Sequence, residues 1–327
     1  MNQPDIMQMY GTHTKTVNKS QERAVYITTQ DTGSGTIEQY EIFNGVNLYK
    51  MDFFVESIDY TGTEKNYSDD FICINHCEKG RFEAEFQNGQ FVYLGEKDVS
   101  LNAPENSPIK NSFPLGRFLG ILIVIEVKTA QQSIKNLASL YGDMPIDFEK
   151  IKDSLREGNK FIVYRNSCIL ADICEKLYEK NGNNHMFLLK HTVLELLYRL
   201  SAGDIMSSTP SHYFLKQQVQ KIKKIREFLT CNIDTRYSTK ELSQKFDIAL
   251  TSLKECFKEV YGMPISSYVR KYRISLAQNM LTETPLSIGD ISDKIGYENQ
   301  SKFAQAFKKT TGMTPIEYRN KKNNSMD

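Results

Sequence analysis

The C-terminal third of the chain contains one helical pattern twice, and this repeat restricts the possible folds more than any other feature. The first copy spans residues 242–264 and the second spans residues 291–315. The copies begin 49 positions apart, whereas Phe257 and Phe307 are 50 positions apart. The second copy therefore has one extra residue, which we place in its turn.

Each copy has the pattern of a helix-turn-helix, in which two short helices cross at a tight turn. Ser238 followed by Glu241 predicts a capping box at the start of the first unit, and Ser287 with Asp290 predicts a cap for the second. Gly296 is predicted to occupy the second turn. The apolar spacing within each copy buries one face of both helices and leaves the other face outward.

Polar residues fill the outward positions of the second helix in each unit. They are Thr251, Ser252, Lys254, Glu255 and Lys258 in the first unit, and Gln300, Ser301, Lys302, Gln305, Lys308 and Lys309 in the second. One such unit is compatible with an ordinary surface hairpin, but two units joined by a predicted helix over 265–281 indicate DNA binding. We predict that Gln300 and Gln305 contact adenine edges in the major groove and that Lys302, Lys308 and Lys309 contact phosphates.

This pattern resembles the two-helix-turn-helix DNA-binding domain of the AraC/XylS family of bacterial transcription regulators. The residues that carry the resemblance are Lys240-Glu241-Leu242, Leu253, Phe257-Lys258, Gly262-Met263-Pro264, Arg273, Ala277, Ser287-Ile288, Ile291, Ile295-Gly296-Tyr297, Gln300 to Phe303, Ala306-Phe307-Lys308, Gly312 to Pro315 and Tyr318-Arg319. Two positions depart from the family pattern. Asp247 stands where glycine is frequent, and Glu255 stands where a basic residue is frequent, which weakens the DNA contact expected of the first unit.

The charge is divided unevenly along the chain, although the formal net charge is only +1. Residues 1–215 contain 21 Lys and Arg against 28 Asp and Glu, whereas residues 216–327 contain 20 against 12. The net charges of these segments are −7 and +8. A basic C-terminal segment suits a phosphate-binding surface, and the acidic remainder is expected to stay away from nucleic acid.

Cysteine spacing and hydropathy predict a soluble cytoplasmic protein. The six cysteines show no C-x-x-C pair, and no leader pattern opens the chain. The longest apolar run, 119–125, is much shorter than the roughly 18 residues of a membrane helix. Cys73 and Cys77 on either side of His76 suggest metal ligation, but buried thiols are the favoured interpretation.

The N-terminal part alternates with a period of two from Val25 onward and predicts an antiparallel barrel. Asn44-Gly45 and Asn88-Gly89 predict the turns of two hairpins. Further predicted strands cover 25–29, 53–58, 71–76, 99–103 and 120–127. The stretch 80–104 resembles the second half of a cupin barrel, the sensor domain that often precedes this DNA-binding domain.

The histidine pattern argues against an enzyme. A catalytic cupin needs a His-x-His pair and a carboxylate to bind its metal, and this set is absent. We expect no cofactor, no metal and no catalytic residue. The apolar inner face is suited to a small-molecule effector, whereas a packed barrel without ligand is the alternative. The resemblance does not identify the residues of such a pocket.

Beyond the predicted barrel, the pattern becomes helical at 133–141, 148–155, 168–179 and 186–201. The last of these helices has a wide apolar stripe, formed by Leu188, Leu189, Val193, Leu196, Leu197 and Leu200. Two interpretations remain open. Either the helix is buried against the barrel, or it pairs with its own copy in a homodimer, as the corresponding helices do in several relatives.

We therefore predict an α+β protein with an N-terminal cupin-like barrel, a helical dimerisation segment and a C-terminal all-α domain. The expected boundaries are a flexible N-terminus at 1–20, the barrel at 21–130, the helical segment at 131–203, a linker at 204–215, the DNA-binding domain at 216–320 and a tail at 321–327. The expected function is a transcription regulator of promoter DNA controlled by a small molecule, with RNA polymerase as a further partner. The alternatives are control by a protein partner and constitutive DNA binding without an effector.

Overall fold

The computed structural model describes residues 13–20, 22–58, 70–103, 108–157, 161–165, 167–179, 185–203 and 213–323. The chain divides into two compact units, the N-terminal unit Met1–Phe214 and the C-terminal unit Leu215–Asp327. In this subsection they are the first and the second unit. The first unit combines antiparallel sheets with helices, and the second is helical. The predicted α+β class is confirmed.

Thirteen strands occur in the described residues, and they form two antiparallel sheets. In chain order the strands are β1 Thr14–Lys19, β2 Arg23–Gln30, β3 Gly33–Phe43, β4 Val46–Phe54, β5 Ser57–Ile58, β6 Phe71–Gly80, β7 Phe82–Glu85, β8 Gln90–Leu94, β9 Val99–Asn102, β10 Lys110–Ser112, β11 Phe118–Glu126, β12 Phe161–Tyr164 and β13 Phe214–Leu215. The larger sheet has the order β1-β2-β3-β4-β11-β6-β9-β12, and the smaller has the order β13-β8-β7-β10-β5. Each order has two ends, so the described strands do not close into one hydrogen-bonded barrel.

Four helices accompany these sheets in the described residues of the first unit. They are α1 Val127–Tyr141, α2 Phe148–Glu157, α3 Cys168–Lys176 and α4 His185–Ala202. Both predicted hairpins are confirmed. Phe43 pairs with Val46 across Asn44-Gly45, and the amide of Phe86 donates to the carbonyl of Gln90 across the second turn at 2.9 Å.

The central strand β11 explains the most apolar run of the sequence. Ile121, Ile123 and Ile125 pack in a core shared with the helices. Leu122 and Val124, between them, pack in a second core formed with the smaller sheet. Both faces of this strand are buried, and a strand covered on both faces is continuously apolar instead of alternating.

The structure corrects several expected boundaries of the first unit. Residues 14–19 of the predicted flexible N-terminus form β1, which pairs with β2 through backbone hydrogen bonds that its polar side chains did not reveal. Residues 1–12 lie outside the described residues. The predicted helical segment 131–203 contains β12, which pairs with β9 and buries an aromatic and β-branched run. Helix α1 begins at Val127, inside the region assigned to the barrel.

The apolar stripe of α4 lies in the core of the unit. Leu189, Val193, Leu196, Leu197 and Leu200 are all buried, and they pack in the cluster shared by the larger sheet and the helices. Of the six stripe residues, Leu188 alone is exposed. The stripe is therefore core, and a different face of α4, carrying Phe187, His191 and Tyr198, is exposed.

The described part of the second unit contains seven helices. They are α5 Lys216–Cys231, α6 Thr239–Lys245, α7 Leu250–Tyr261, α8 Ile265–Glu283, α9 Ile288–Lys294, α10 Gln300–Thr311 and α11 Pro315–Asn323. Helix α11 continues three residues into the predicted tail, whose residues 324–327 lie outside the described residues, as do residues 204–212 of the predicted linker. No helix of the described chain is long and apolar enough to cross a membrane.

Candidate nucleic-acid interface

The two predicted helix-turn-helix units are α6 with α7 and α9 with α10. Both begin with the predicted capping box. The amide of Ser238 donates to the Glu241 carboxylate at 2.7 Å, and the amide of Glu241 donates to the Ser238 hydroxyl at 3.2 Å. Ser287 and Asp290 repeat this arrangement at 3.2 and 3.1 Å. Because the backbone amide of Ser238 donates to it, the pKa of Glu241 is lowered.

The turns of the two units share one backbone conformation. Asp247 and Gly296 both have positive φ, 46° and 75° respectively. From Asp247 the chain reaches the start of α7 in three residues, whereas from Gly296 it reaches the start of α10 in four. The extra residue of the second copy therefore lies after the positive-φ position, in the turn as predicted. It allows Asn299 to cap α10, because its side chain accepts from the amide of Lys302 at 2.9 Å.

The second helices of both units bury equivalent residues. Leu253 and Phe257 are fully buried in α7, and Phe303 and Phe307 are fully buried in α10. In each helix the two residues lie four positions apart, so they form one face. The opposite face of each helix is left to solvent.

Helix α8 connects the units, and one arginine of α8 holds the second turn. Arg273 is 6% exposed. Its Nη1 donates to the carbonyl of Gly296 at 2.9 Å, and its Nη2 donates to the carbonyls of Ile233 at 2.6 Å and Thr235 at 3.2 Å. Arg273 thus ties the turn of the second unit to the loop that precedes the first unit.

Ten of the eleven predicted DNA-contacting residues are exposed, and Ser252 is half-buried. The exposed ones are Thr251, Lys254, Glu255 and Lys258 on α7, and Gln300, Ser301, Lys302, Gln305, Lys308 and Lys309 on α10. Helix α10 therefore has three lysines on its surface and no acidic residue within its bounds.

Glu255 and Gln305 occupy the same position on α7 and α10. At 100° per residue, Glu255 lies about 160° around the helix from Leu253 and Phe257, and Gln305 lies as far from Phe303 and Phe307. They are thus the side chains that point most directly away from the core. Gln305 is where an amide able to contact a base must be, and Glu255 places a carboxylate at the matching point.

Gln300 does not share this face. Five residues correspond to about 140° of rotation, so Gln300 and Gln305 point in different directions around α10. The Oε1 of Gln300 lies 4.0 Å from the position that a β-carbon on Gly289 would take, which places this side chain beside the first turn of α9. The structure therefore separates the two glutamines that the sequence grouped as base-contacting residues.

Lys302 is paired within the unit. Its ammonium bonds to the Glu298 carboxylate, which also accepts from Arg236 at 2.7 Å. The pKa of Glu298 is lowered, first by the hydrogen bond from Lys302 and then by the charge of Arg236. All three side chains are more than half exposed. One carboxylate thus neutralises two cations beside the start of α10.

Sequence reasoning missed Glu298, Arg236 and the buried position of Arg273. The i, i+4 spacing of Glu298 and Lys302 was a usable signal, because such pairs are neighbours on a helix surface. Arg236 lies 62 positions from Glu298, so no local pattern reveals that contact. Arg273 belonged to the family pattern, but a sequence does not show which carbonyls a guanidinium will reach.

In the N-terminal unit Met1–Phe214, two of the candidate metal residues, His76 and Cys77, are buried. His76 is fully buried, and its Nδ1 lies 3.0 Å from the Tyr178 hydroxyl. Burial lowers the pKa of His76 to about 4. Cys77 is also buried, and its pKa is raised by burial. Among the residues that the structure describes, no group of three or more His, Cys, Asp or Glu could hold a metal ion.

Comparison with known proteins finds a family-model match within Leu215–Asp327 and sequence matches of different lengths. A family model described as "Helix-turn-helix domain" matches residues 242–321. The uncharacterized HTH-type transcriptional regulator YtdP of Bacillus subtilis is 35% identical over 82 residues, which are 25% of this chain and 11% of that protein. The HTH-type transcriptional activator RhaR of Salmonella dublin is 27% identical over 154 residues, which are 45% of this chain and 52% of that protein.

These matches cover only part of each relative. The chain spans 11% of the length of YtdP and 52% of the length of RhaR. Among solved structures, ToxT from Vibrio cholerae is similar over 84% of this chain and 97% of its own, with 14% identity and a TM-score of 0.28. Both sequence relatives are named as transcription regulators.

Proposed function

We propose that this chain is a DNA-binding transcription regulator with an AraC-type helix-turn-helix domain at its C-terminus, and that both helix-turn-helix units contact promoter DNA at the same time. The observation that supports the proposal is that Glu255 and Gln305 occupy equivalent positions on α7 and α10. Two superposable helices each present one polar side chain directly opposite a fully buried face. That arrangement is suited to insertion into a major groove, which admits a single α-helix.

The proposed site is long and bipartite. Helix α8 packs against α7 of the first unit and against α9 and α10 of the second, and it thereby holds the units at a set separation. We call α7 and α10, the second helices of the two helix-turn-helix units, the recognition helices. If they enter successive major grooves on one face of the duplex, they lie about 34 Å apart along its axis. One chain is then expected to protect about 17 to 20 base pairs.

We assign the contacts by chemistry and position. Gln305 contacts a base edge, whereas Lys308 and Lys309 contact phosphates, with Ser301 and Lys302 at the same surface. Thr251, Lys254 and Lys258 make the corresponding contacts of the first unit, beside Ser252 and Glu255. Gln300 is assigned to the junction between α9 and α10, because its amide lies beside Gly289.

The test uses the full-length chain and DNA selected from a random library. Gln305→Ala should weaken binding to the selected site by about 1 to 3 kcal/mol and relax the preference at one base pair. Lys309→Ala should weaken binding to all sequences alike, because a phosphate contact carries no sequence information. Gln220→Ala, which removes the same amide from the exposed surface of α5, is the matched control. Equal loss on selected and random DNA for Gln305→Ala would refute the assignment.

We also propose that the N-terminal unit, Met1–Phe214, senses a small molecule. This unit is compact, with two apolar cores of its own and a net acidic sequence, and it is distinct from the unit that contains the helix-turn-helix pattern. A thermal-shift screen of metabolites tests the proposal, because a ligand of the folded state raises its stability. A regulator controlled by a protein partner would show no shift but would retain that partner, and a constitutive binder would show neither.

Two further partners belong to the proposal. RNA polymerase is the assembly that a promoter-bound regulator must influence. A second copy of the chain is proposed to pack on the exposed face of α4, where Phe187 is 70% and Tyr198 38% exposed. The cytoplasm is the proposed location, since promoter DNA is found there in bacteria.

A further inference from the structure

Two outward positions of α7 carry the same chemistry as the corresponding positions of α10. Thr251 and Ser301 both carry a hydroxyl, and Lys258 and Lys308 both carry an ammonium. Glu255 lies between the two matched positions on α7, and Gln305 lies between them on α10. These two side chains have the same length and shape but differ in one terminal atom. All of these side chains are exposed. The two helices therefore share the side-chain chemistry at these two positions and differ at the most outward position between them.

That change alters hydrogen bonding. A carboxylate only accepts hydrogen bonds, whereas an amide both accepts and donates. In the major groove, adenine offers an acceptor and a donor side by side, and cytosine offers the donor of its N4 amino group. An amide therefore matches adenine, and a carboxylate matches cytosine.

We propose that Glu255 is a specificity residue that selects cytosine for the first unit, while Gln305 selects adenine for the second. This inference rests on the proposed function, because it requires both helices to lie in major grooves. Its consequence is that the two halves of the DNA site differ. The site then has a direction, and the chain binds it in one orientation.

The surroundings of Glu255 suit this role. A carboxylate in a groove is repelled by the phosphates, and Lys254 and Lys258 lie on the same exposed surface of α7, one and three positions away. Their positive charges offset this repulsion at the groove edge. On α10 the central side chain is neutral, and Lys308 and Lys309 contribute attraction to the phosphates. The first unit should thus contribute mainly selectivity and the second mainly affinity.

The experiment compares four full-length proteins: wild type, Glu255→Gln, Gln305→Glu and Glu227→Gln. The last variant removes one exposed carboxylate from α5 and controls for the change in charge. Each protein is used to enrich sites from a random DNA library, and affinities are then measured with each of the four bases at the enriched positions. Thermal unfolding of each variant checks that the fold is kept.

We expect Glu255→Gln to change the preferred base at one position of one half-site from cytosine to adenine, by at least about fivefold. Gln305→Glu should make the opposite change in the other half-site. If Glu255→Gln raises affinity for every sequence alike, the result expected of Glu227→Gln, the carboxylate acts only by repulsion and the inference is wrong. A wild-type chain that selects a bipartite site with adenine at the matching position of both half-sites would also overturn it, although the proposed function would survive. A wild-type chain that enriches no sequence would overturn both.

Discussion

Asp247 and Gly296 hold the same left-handed backbone conformation at the same point of two repeated units, but only one of them is glycine. The Asp247 side chain extends into solvent, and the ammonium of Lys221 bonds to its main-chain carbonyl. At Gly296, a β-carbon would lie 2.3 Å from the carbonyl oxygen of Asp234 and 2.7 Å from Nη2 of Arg273. One turn has room for a side chain, and the other does not.

The two positions should therefore respond differently to substitution. Asp247→Gly relieves the strain of positive φ but adds unfolded-state entropy, so we expect the free energy of unfolding to rise by only roughly 0.5 kcal/mol. Gly296→Ala should lower it by more than about 2 kcal/mol, because the backbone of another loop must move. Urea unfolding of both variants measures the difference. Equal effects would show that the second turn tolerates a side chain.

Arg273 should be required for the stability of the C-terminal unit, Leu215–Asp327. Arg273→Met keeps most of the buried volume but removes three hydrogen bonds to main-chain carbonyls, so we expect a loss of about 3 kcal/mol. Arg270→Met, at an exposed position of the same helix, is the control and should change stability by less than about 0.5 kcal/mol. Chemical denaturation monitored by circular dichroism tests both. A similar small loss in both variants would contradict a structural role for Arg273.

Glu298 should weaken DNA binding. Glu298→Gln releases Lys302 and Arg236 for phosphates, so affinity should rise about three- to tenfold at low salt, and the salt dependence should steepen by about 0.9 per new phosphate contact. Fluorescence anisotropy over a salt series measures both quantities. Glu283→Gln makes the same charge change at the exposed end of α8 and should leave the slope unchanged. Unaltered affinity in Glu298→Gln would place Lys302 outside the interface.

His76 should make the stability of the N-terminal unit, Met1–Phe214, sensitive to acid. The pKa of His76 in the folded state is about 4 because of burial, below the ordinary value of 6.5. The unfolded chain therefore takes up the proton first as the pH falls below about 6.5, and stability declines until about pH 4, by up to roughly 3 kcal/mol. Denaturation of wild type and His76→Asn from pH 7.5 to 4.5 should show a smaller decline in the variant.

Tyr178→Phe separates burial from hydrogen bonding in this experiment. It removes the hydroxyl that lies 3.0 Å from His76 but keeps the histidine buried. Stability should fall by about 1 kcal/mol at every pH, with the wild-type pH dependence retained. If His76→Asn also retains that dependence, other groups cause the acid sensitivity.

The exposed face of α4 should mediate self-association. Phe187→Glu places a charge at a side chain that is 70% exposed, so folding should be unaffected while any dimer dissociates. Leu140→Glu changes an even more exposed apolar side chain on α1 and is the control. Sedimentation velocity across a concentration series measures the result. A wild-type chain that stays monomeric throughout would refute the proposed homodimer.

The C-terminal helices could be predicted because their signals are local. A capping box joins residues three positions apart, and helix periodicity repeats every 3.6 residues, so Ser238 with Glu241 and Ser287 with Asp290 identify helix starts without tertiary information. The hairpin turns at Asn44-Gly45 and Asn88-Gly89 are local in the same sense. The repeat itself placed the extra turn residue of the second unit.

Tertiary structure decided the features that depend on distant partners. The pairing of β12 with β9, the bonds from Arg273 to three carbonyls and the contact of Glu298 with Arg236 join residues far apart in the chain. The same holds for α4, because a wide apolar stripe suits a monomer core and a dimer interface equally well. A sequence shows which side chains need burial, and only the packed structure shows what buries them.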